Sequence, residues 1–151
     1  MSLDRTLPLL IERAVAARDR EAQALAQTQR REAAAAERGE QLCNYRVQYL
    51  ARSPAATGAS VSGDALASRQ RFIAKLDEAL AIQKDDLSMR ARETAAQHAR
   101  LLQCQQALLA LQTLQRRREA QRDLRLARGA QREADEFAAR ALQRARREHS
   151  S

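Results

Sequence analysis

Leu66, Ile73, Leu80, Leu87, Thr94, Leu101 and Leu108 recur at intervals of seven, and no proline follows Pro54. Six of the seven are aliphatic. In a strand, successive members of such a column would point to opposite faces; in an α-helix they keep to one side. The column therefore commits the C-terminal part of the chain to a long helix that needs a second helix to cover it, as in a coiled coil. Its companion positions are weaker, because Leu76, Cys104 and Leu111 alternate with Gln83, Arg90 and Gln97. The expected pairing is real but not tight.

Composition agrees with that class. The chain of 151 residues holds four aromatic side chains, no tryptophan, four glycines and two prolines, with much of its apolar content in alanine. That is poor material for a globular core and good material for long helices. Nothing in it argues for strands.

Both prolines and three of the four glycines fall within the first 63 residues, and the stretch from Arg52 to Gly63, RSPAATGASVSG, is the one cluster of breakers and small polar residues. It is read as the bend, at about 53–63. Helix one is expected over about 7–52, with Pro8 in its first turn, and helix two over about 64–147, with Asp64 as its N-cap. Leu7, Ile11, Ala14, Leu25, Ala35, Leu42 and Tyr49 lie near one face of helix one, diluted by alanine. A short connection then gives a single unit over 1–151: an all-α, long antiparallel two-helix coiled-coil hairpin whose second helix is the longer.

At 1.5 Å per residue the helices measure roughly 70 Å and roughly 125 Å, and residues whose numbers sum to about 115 share a level. Leu7 then reaches only the neighbourhood of Leu108. Beyond it, about forty residues of helix two have no partner in the chain and must fray, bend back at Gly129 or be held by another protein. This overhang carries eleven arginines and five acids from Arg116 to Arg147, a net +6 out of the +8 of the whole chain. Favourable and repulsive i,i+4 pairs within it roughly cancel, while Leu124, Ala127, Ala134, Phe137, Ala138, Ala141 and Leu142 give it a partly apolar face. Such a segment invites an acidic partner: a protein, a membrane surface or nucleic acid.

The level rule also brings Phe72 within a turn of Tyr45, with Tyr49 one turn further along the same helix. Two readings follow. The rings either widen the seam beside the bend or form a half-exposed patch that marks a binding site, and the second is expected here.

Catalytic chemistry has no foothold. There is no glycine-rich phosphate loop, no Ser/His/Asp or Cys/His set and no concave pocket in a two-helix pair, so an enzyme is not expected. No cofactor is expected either. Asp85-Asp86 and Asp135-Glu136 are read as solvated acids. Cys43 and Cys104 show no CxxC spacing and read as free thiols, and with only His98 and His149 beside them a metal site has no support. The first residues, MSLDRTLPLLIERAV, are too broken by charge for a signal peptide, and no run has the length to cross a bilayer. A cytoplasmic location is expected.

Three blocks, taken with their spacing, resemble the flagellar FliJ family: Leu42, Tyr45 and Tyr49 before the bend; Phe72-Ile73 with Leu76, Ala79 and Gln83 after it; and Gln131 through Asp135-Glu136-Phe137-Ala138 to Arg140-Ala141. The resemblance covers essentially the whole chain. It implies a soluble component of the bacterial flagellar type III export apparatus, a coiled coil similar to the central stalk of rotary ATPases. Its implied partners are the hexameric export ATPase FliI, the ATPase regulator FliH, the export gate protein FlhA and the export chaperones. No nucleic acid is expected, and membrane association at the flagellar base would be peripheral, through partners. Leu42, Tyr45, Tyr49, Phe72, Leu76, Ala79 and Gln83 look like the family's gate-binding face, with glutamine at 83 a departure from histidine. Leu9, Leu10 and Ile11, with Phe137, Arg140 and Arg144, look like the part that enters the ATPase ring. The equivalent stalk of a virulence secretion system and a basic nucleic-acid-binding coiled coil are the alternatives.

Overall fold

The computed structural model describes residues 3–52 and 62–150. Two helices account for it: α1, Leu3–Ala51, of 49 residues, and α2, Gly63–His149, of 87 residues. They pack antiparallel, α2 is the longer, and among the described residues there is no strand. The expected bend at 53–63 lies outside the described residues apart from Ser62 and Gly63.

Both helices start differently from expectation, for local reasons. Ser62, not Asp64, caps α2: its hydroxyl accepts the Ala65 backbone N–H at 3.2 Å and its carbonyl accepts that of Leu66. Asp64 then falls in the first turn, where its charge complements the helix dipole. In α1 a turn precedes Pro8, which therefore sits inside the helix. Proline there forfeits one backbone hydrogen bond. The added turn is held instead by Thr6, whose hydroxyl donates to the Leu3 carbonyl, and by Asp4, which pairs with two arginines of α2.

The chain forms two compact units. In the unit Val15–Gln105, the buried residues are Leu25, Ala35, Leu76 and Gln97. Ala35 is wholly enclosed, at 0% exposure. Its carbonyl accepts the Gln83 side-chain amide at 2.8 Å, and fourteen positions earlier the Glu21 carbonyl accepts that of Gln97 at 3.3 Å. Equal intervals of two heptads on both helices mean that the two clips obey one register, within a helical turn of the expected level. The companion column of α2, weak by composition, is thus the better buried one: Leu76 and Gln97 are covered while Ile73, Leu80, Leu87 and Leu101 are half-buried and Leu66 is exposed. Short alanines on α1 let the long amides of Gln83 and Gln97 reach its backbone, so these two polar side chains fill the seam with their amides bonded.

On α1, Leu25, Ala35, Leu42 and Tyr49 are buried or half-buried as expected, and Glu21, Thr28, Glu32, Gly39 and Arg46 share the covered face with them. Two cross-helix ion pairs border it, Arg46 with Asp77 at 2.7 Å and Arg38 with Asp86 at 3.8 Å.

The other unit comprises Met1–Ala14 and Gln106–Ser151. Leu7 and Leu108 are its buried residues, and Ile11 and Leu111 are half-buried. Asp4 receives Arg118 at 3.0 Å and Arg122 at 3.4 Å. Because α1 begins at Leu3, its cover extends along α2 to Arg122, past the neighbourhood of Leu108. From Glu119 to Ser150 every residue is exposed. The segment neither frays nor bends back: α2 runs through Gly129 to His149 as one helix.

Gly39 offers a direct test of the seam. A β-carbon placed there would lie 3.5 Å from Gln83 Cγ, an ordinary contact, so space does not demand glycine. Gly39→Ala is expected to stabilise the protein by about 1 kcal/mol through helix propensity, read as a higher midpoint in thermal unfolding followed by circular dichroism.

Candidate functional site

Tyr45, Tyr49 and Phe72 meet as the level rule predicts. The Tyr49 and Phe72 ring centroids lie 4.7 Å apart and tilted by 51°, while Tyr45 meets Phe72 edge-on at 6.4 Å. Both are favoured geometries for rings whose faces are negative and edges positive. Exposure separates their roles. Tyr45 is 50% exposed and Phe72 36%, whereas Tyr49 is half-buried beneath them. The cluster is a surface with a floor.

Arg69 completes it. Its guanidinium lies 5.7 Å from the Tyr49 ring centroid and donates to the Leu50 carbonyl at 3.5 Å, in the last turn of α1. That turn carries no basic residue of its own, so Arg69 supplies a positive charge at the negative end of the helix dipole. Sequence reasoning missed Arg69, although it stands one heptad before Leu76 in the same column.

The remaining residues of the expected gate-binding set divide by direction. Leu76 is buried, Leu42 and Ala79 are half-buried, and Gln83 turns its amide inward to Ala35. Tyr45 and Phe72 therefore face outward on one edge of the pair, half-buried Ala79 stands one heptad beyond Phe72, and Leu76 with Gln83 fixes the backbone beneath. Asp86 continues that edge. It was expected to be solvated, but it is half-buried, 3.8 Å from Arg38 and 3.6 Å from Arg90 Nε, and so belongs to a cross-helix network. Arg90 Nε makes no hydrogen bond, so its link to Asp86 is an ion-pair contact beyond hydrogen-bond reach. Asp85, Asp135 and Glu136 are exposed as expected, and Asp135 accepts the Gln131 amide at 3.1 Å. Cys43 is exposed and Cys104 half-buried, both as free thiols.

The second expected set lies in the other unit. Leu9 is 59% exposed, Leu10 42% and Phe137 75%; Arg140 and Arg144 are exposed and Ile11 is half-buried. The structure does not bring its two halves together. Asp4 already pairs with Arg118, and Phe137 lies about 28 Å further along α2 than Arg118. Leu9 to Ile11 and the Phe137 to Arg144 segment are two separate surfaces.

Among the described residues no helix is long and apolar enough to cross a membrane. The family model described as the flagellar FliJ protein matches residues 4–147. No curated protein and no solved structure matches the chain.

Floor and surface of the aromatic cluster should respond differently to truncation. Leu76→Ala is expected to cost about 2–4 kcal/mol by opening a cavity in the seam. Tyr45→Ala, at a half-exposed ring, should cost about 1 kcal/mol or less. Urea denaturation of both variants measures the difference.

Proposed function

The chain belongs to the flagellar FliJ family, a component of type III export, and from that premise we propose that it serves as the central-stalk-like subunit of the hexameric flagellar export ATPase, FliI. In that role it couples the ATPase to the export gate protein FlhA, meets the ATPase regulator FliH and escorts export chaperones. It would work in the cytoplasm and reach the membrane at the flagellar base through these partners. The observation that carries the reading is the exposed end of α2: from Glu119 onward the helix is complete, rich in arginine and exposed at every residue, and beyond Arg122 no cross-helix ion pair is made among the described residues. A helix with Phe137 and Leu142 in water gains by insertion into a protein channel.

The gate contact is assigned to the outward edge of the aromatic cluster, Tyr45 and Phe72 with Ala79. Leu42, Tyr49, Leu76 and Gln83 act beneath it by holding that edge in place. Leu9, Leu10 and Ile11, and separately Phe137, Arg140 and Arg144, are the surfaces offered to the ATPase. The family match to the flagellar protein favours this reading over the virulence-system stalk.

Two measurements test it. Added to the purified export ATPase, the protein is expected to promote hexamers and to raise the rate of ATP hydrolysis; no effect with both proteins folded overturns the stalk role. Phe72→Ala and Tyr45→Ala are expected to keep nearly full helicity while weakening gate binding and motility. A large loss of thermal stability with unchanged gate binding would assign the rings to the seam instead.

A further inference from the structure

The face that α2 turns toward α1 changes character where α1 ends. Leu108 and Leu111 supply it first; the same two heptad columns then continue as Gln115, Arg118, Arg122, Arg125, Gly129 and Arg132, up to Glu136. The alternating spacings of four and three are those by which one helix meets another along a coiled-coil seam. Ala127, Ala134 and Ala141 each stand nine residues, two and a half turns, beyond Arg118, Arg125 and Arg132. The apolar face of the exposed segment is therefore on the far side of the helix from this basic line. The two faces are chemically distinct, and the basic one prolongs the position of α1.

α1 itself shows what fits there. The Asp4 carboxylate in its first turn receives Arg118 at 3.0 Å and Arg122 at 3.4 Å, filling the first two rungs. Arg125 and Arg132 are exposed, and among the described residues no acid is paired with either. Gly129 stands between them. A glycine inside a helix costs about 1 kcal/mol relative to alanine, and apart from the adjoining turns of α2 itself no described atom lies within 4 Å of where its β-carbon would be. Without a side chain, this position leaves room for another backbone to come close.

We propose that the line Arg118, Arg122, Arg125, Gly129, Arg132 is a docking track for an acidic helix of another protein, which takes up the place of α1 beyond the first turn of α1. Carboxylates at matching intervals would continue the pairing that Asp4 begins, each arginine presenting a planar fork to them. Nucleic acid is the poorer occupant, because no aromatic ring stands along the track for bases to stack on. The inference concerns this track alone and does not rest on the ATPase reading.

The test uses a fluorescent synthetic helix with glutamates at alternating spacings of four and three, a scrambled helix of the same composition, and a short DNA duplex, all at physiological salt. Wild-type protein is expected to bind the ordered helix best. Arg125→Glu with Arg132→Glu should weaken it by about tenfold, as two exposed ion pairs become repulsions. Arg116→Glu with Arg117→Glu makes the same charge change off the track, at positions turned away from it around the helix, and should weaken it by less than about twofold. Gly129→Leu should also reduce affinity, with helicity retained by circular dichroism in every variant. The proposal is overturned by equal losses in the two charge-reversed pairs, by equal binding of the scrambled helix, by preferential binding of DNA, or by no binding of the ordered helix to the wild-type protein.

Discussion

Contact between α1 and α2 in the Val15–Gln105 unit depends on side-chain amides of one helix reaching backbone carbonyls of the other. Among the described residues, Gln83 to Ala35 and Gln97 to Glu21 are the two such links. Each acceptor carbonyl has a second lone pair to spare, so the link forms without breaking the helix. Gln97 is buried at 6% exposure, and its amide also contacts the Glu21 carboxylate while its oxygen accepts from Arg100 at 3.3 Å. A satisfied polar group at a seam position contributes little net energy but penalises every other register, because a slipped helix would leave it buried without partners. Leucine alone would slide. The amides make one alignment the best one.

Alanine on α1 is the other half of that constraint. At Ala35 the small side chain brings the backbone within reach of Gln83, and bulk there would push the helices apart. Such a seam cannot be broad, and its hydrophobic stabilisation is correspondingly modest: among the described residues of the unit, Leu25 and Leu76 are the only buried leucines, each worth about 1.5–3 kcal/mol. Ion pairs at the margins add little individually. The aromatic cluster thus does two things at once. Tyr49 adds a ring to the thin seam, and the surplus of the trio, Tyr45 and Phe72, is left at the surface where a partner can use it.

Much of this could be read before any coordinates, and the reasons differ by element. The aliphatic column from Leu66 to Leu108, the absence of proline after Pro54 and the spacing of the aromatics are period and distance, which helix geometry converts directly into structure. The level rule placed Phe72 beside Tyr45 because straight helices accumulate little error over one heptad. What escaped was chosen by chemistry between helices. Gln83 and Gln97 looked like flaws in a leucine seam because polarity alone does not reveal a carbonyl within reach. Arg69 and Asp86 were missed for the same reason: their partners, Tyr49 and Arg38, lie on the other helix. Ser62 displaced Asp64 as the cap because either residue type suits the position, and only the path of the chain decides between them.

The exposed portion of α2 stays helical by a different means from the paired portion. No burial supports it, so the backbone must be held by propensity, and its residues are mostly alanine, arginine, leucine, glutamine and glutamate, the strongest helix formers. About thirty such residues exceed the length at which a helix in water becomes self-supporting, and continuity with the packed turns before Glu119 spares it the nucleation step. A segment stabilised in this way carries no obligation to hide any of its faces. Beyond the two arginines that Asp4 holds, the basic line and the alanine face remain exposed, set on opposite sides and ready-made in geometry. A partner would then meet a surface already ordered and lose little of its binding energy to folding.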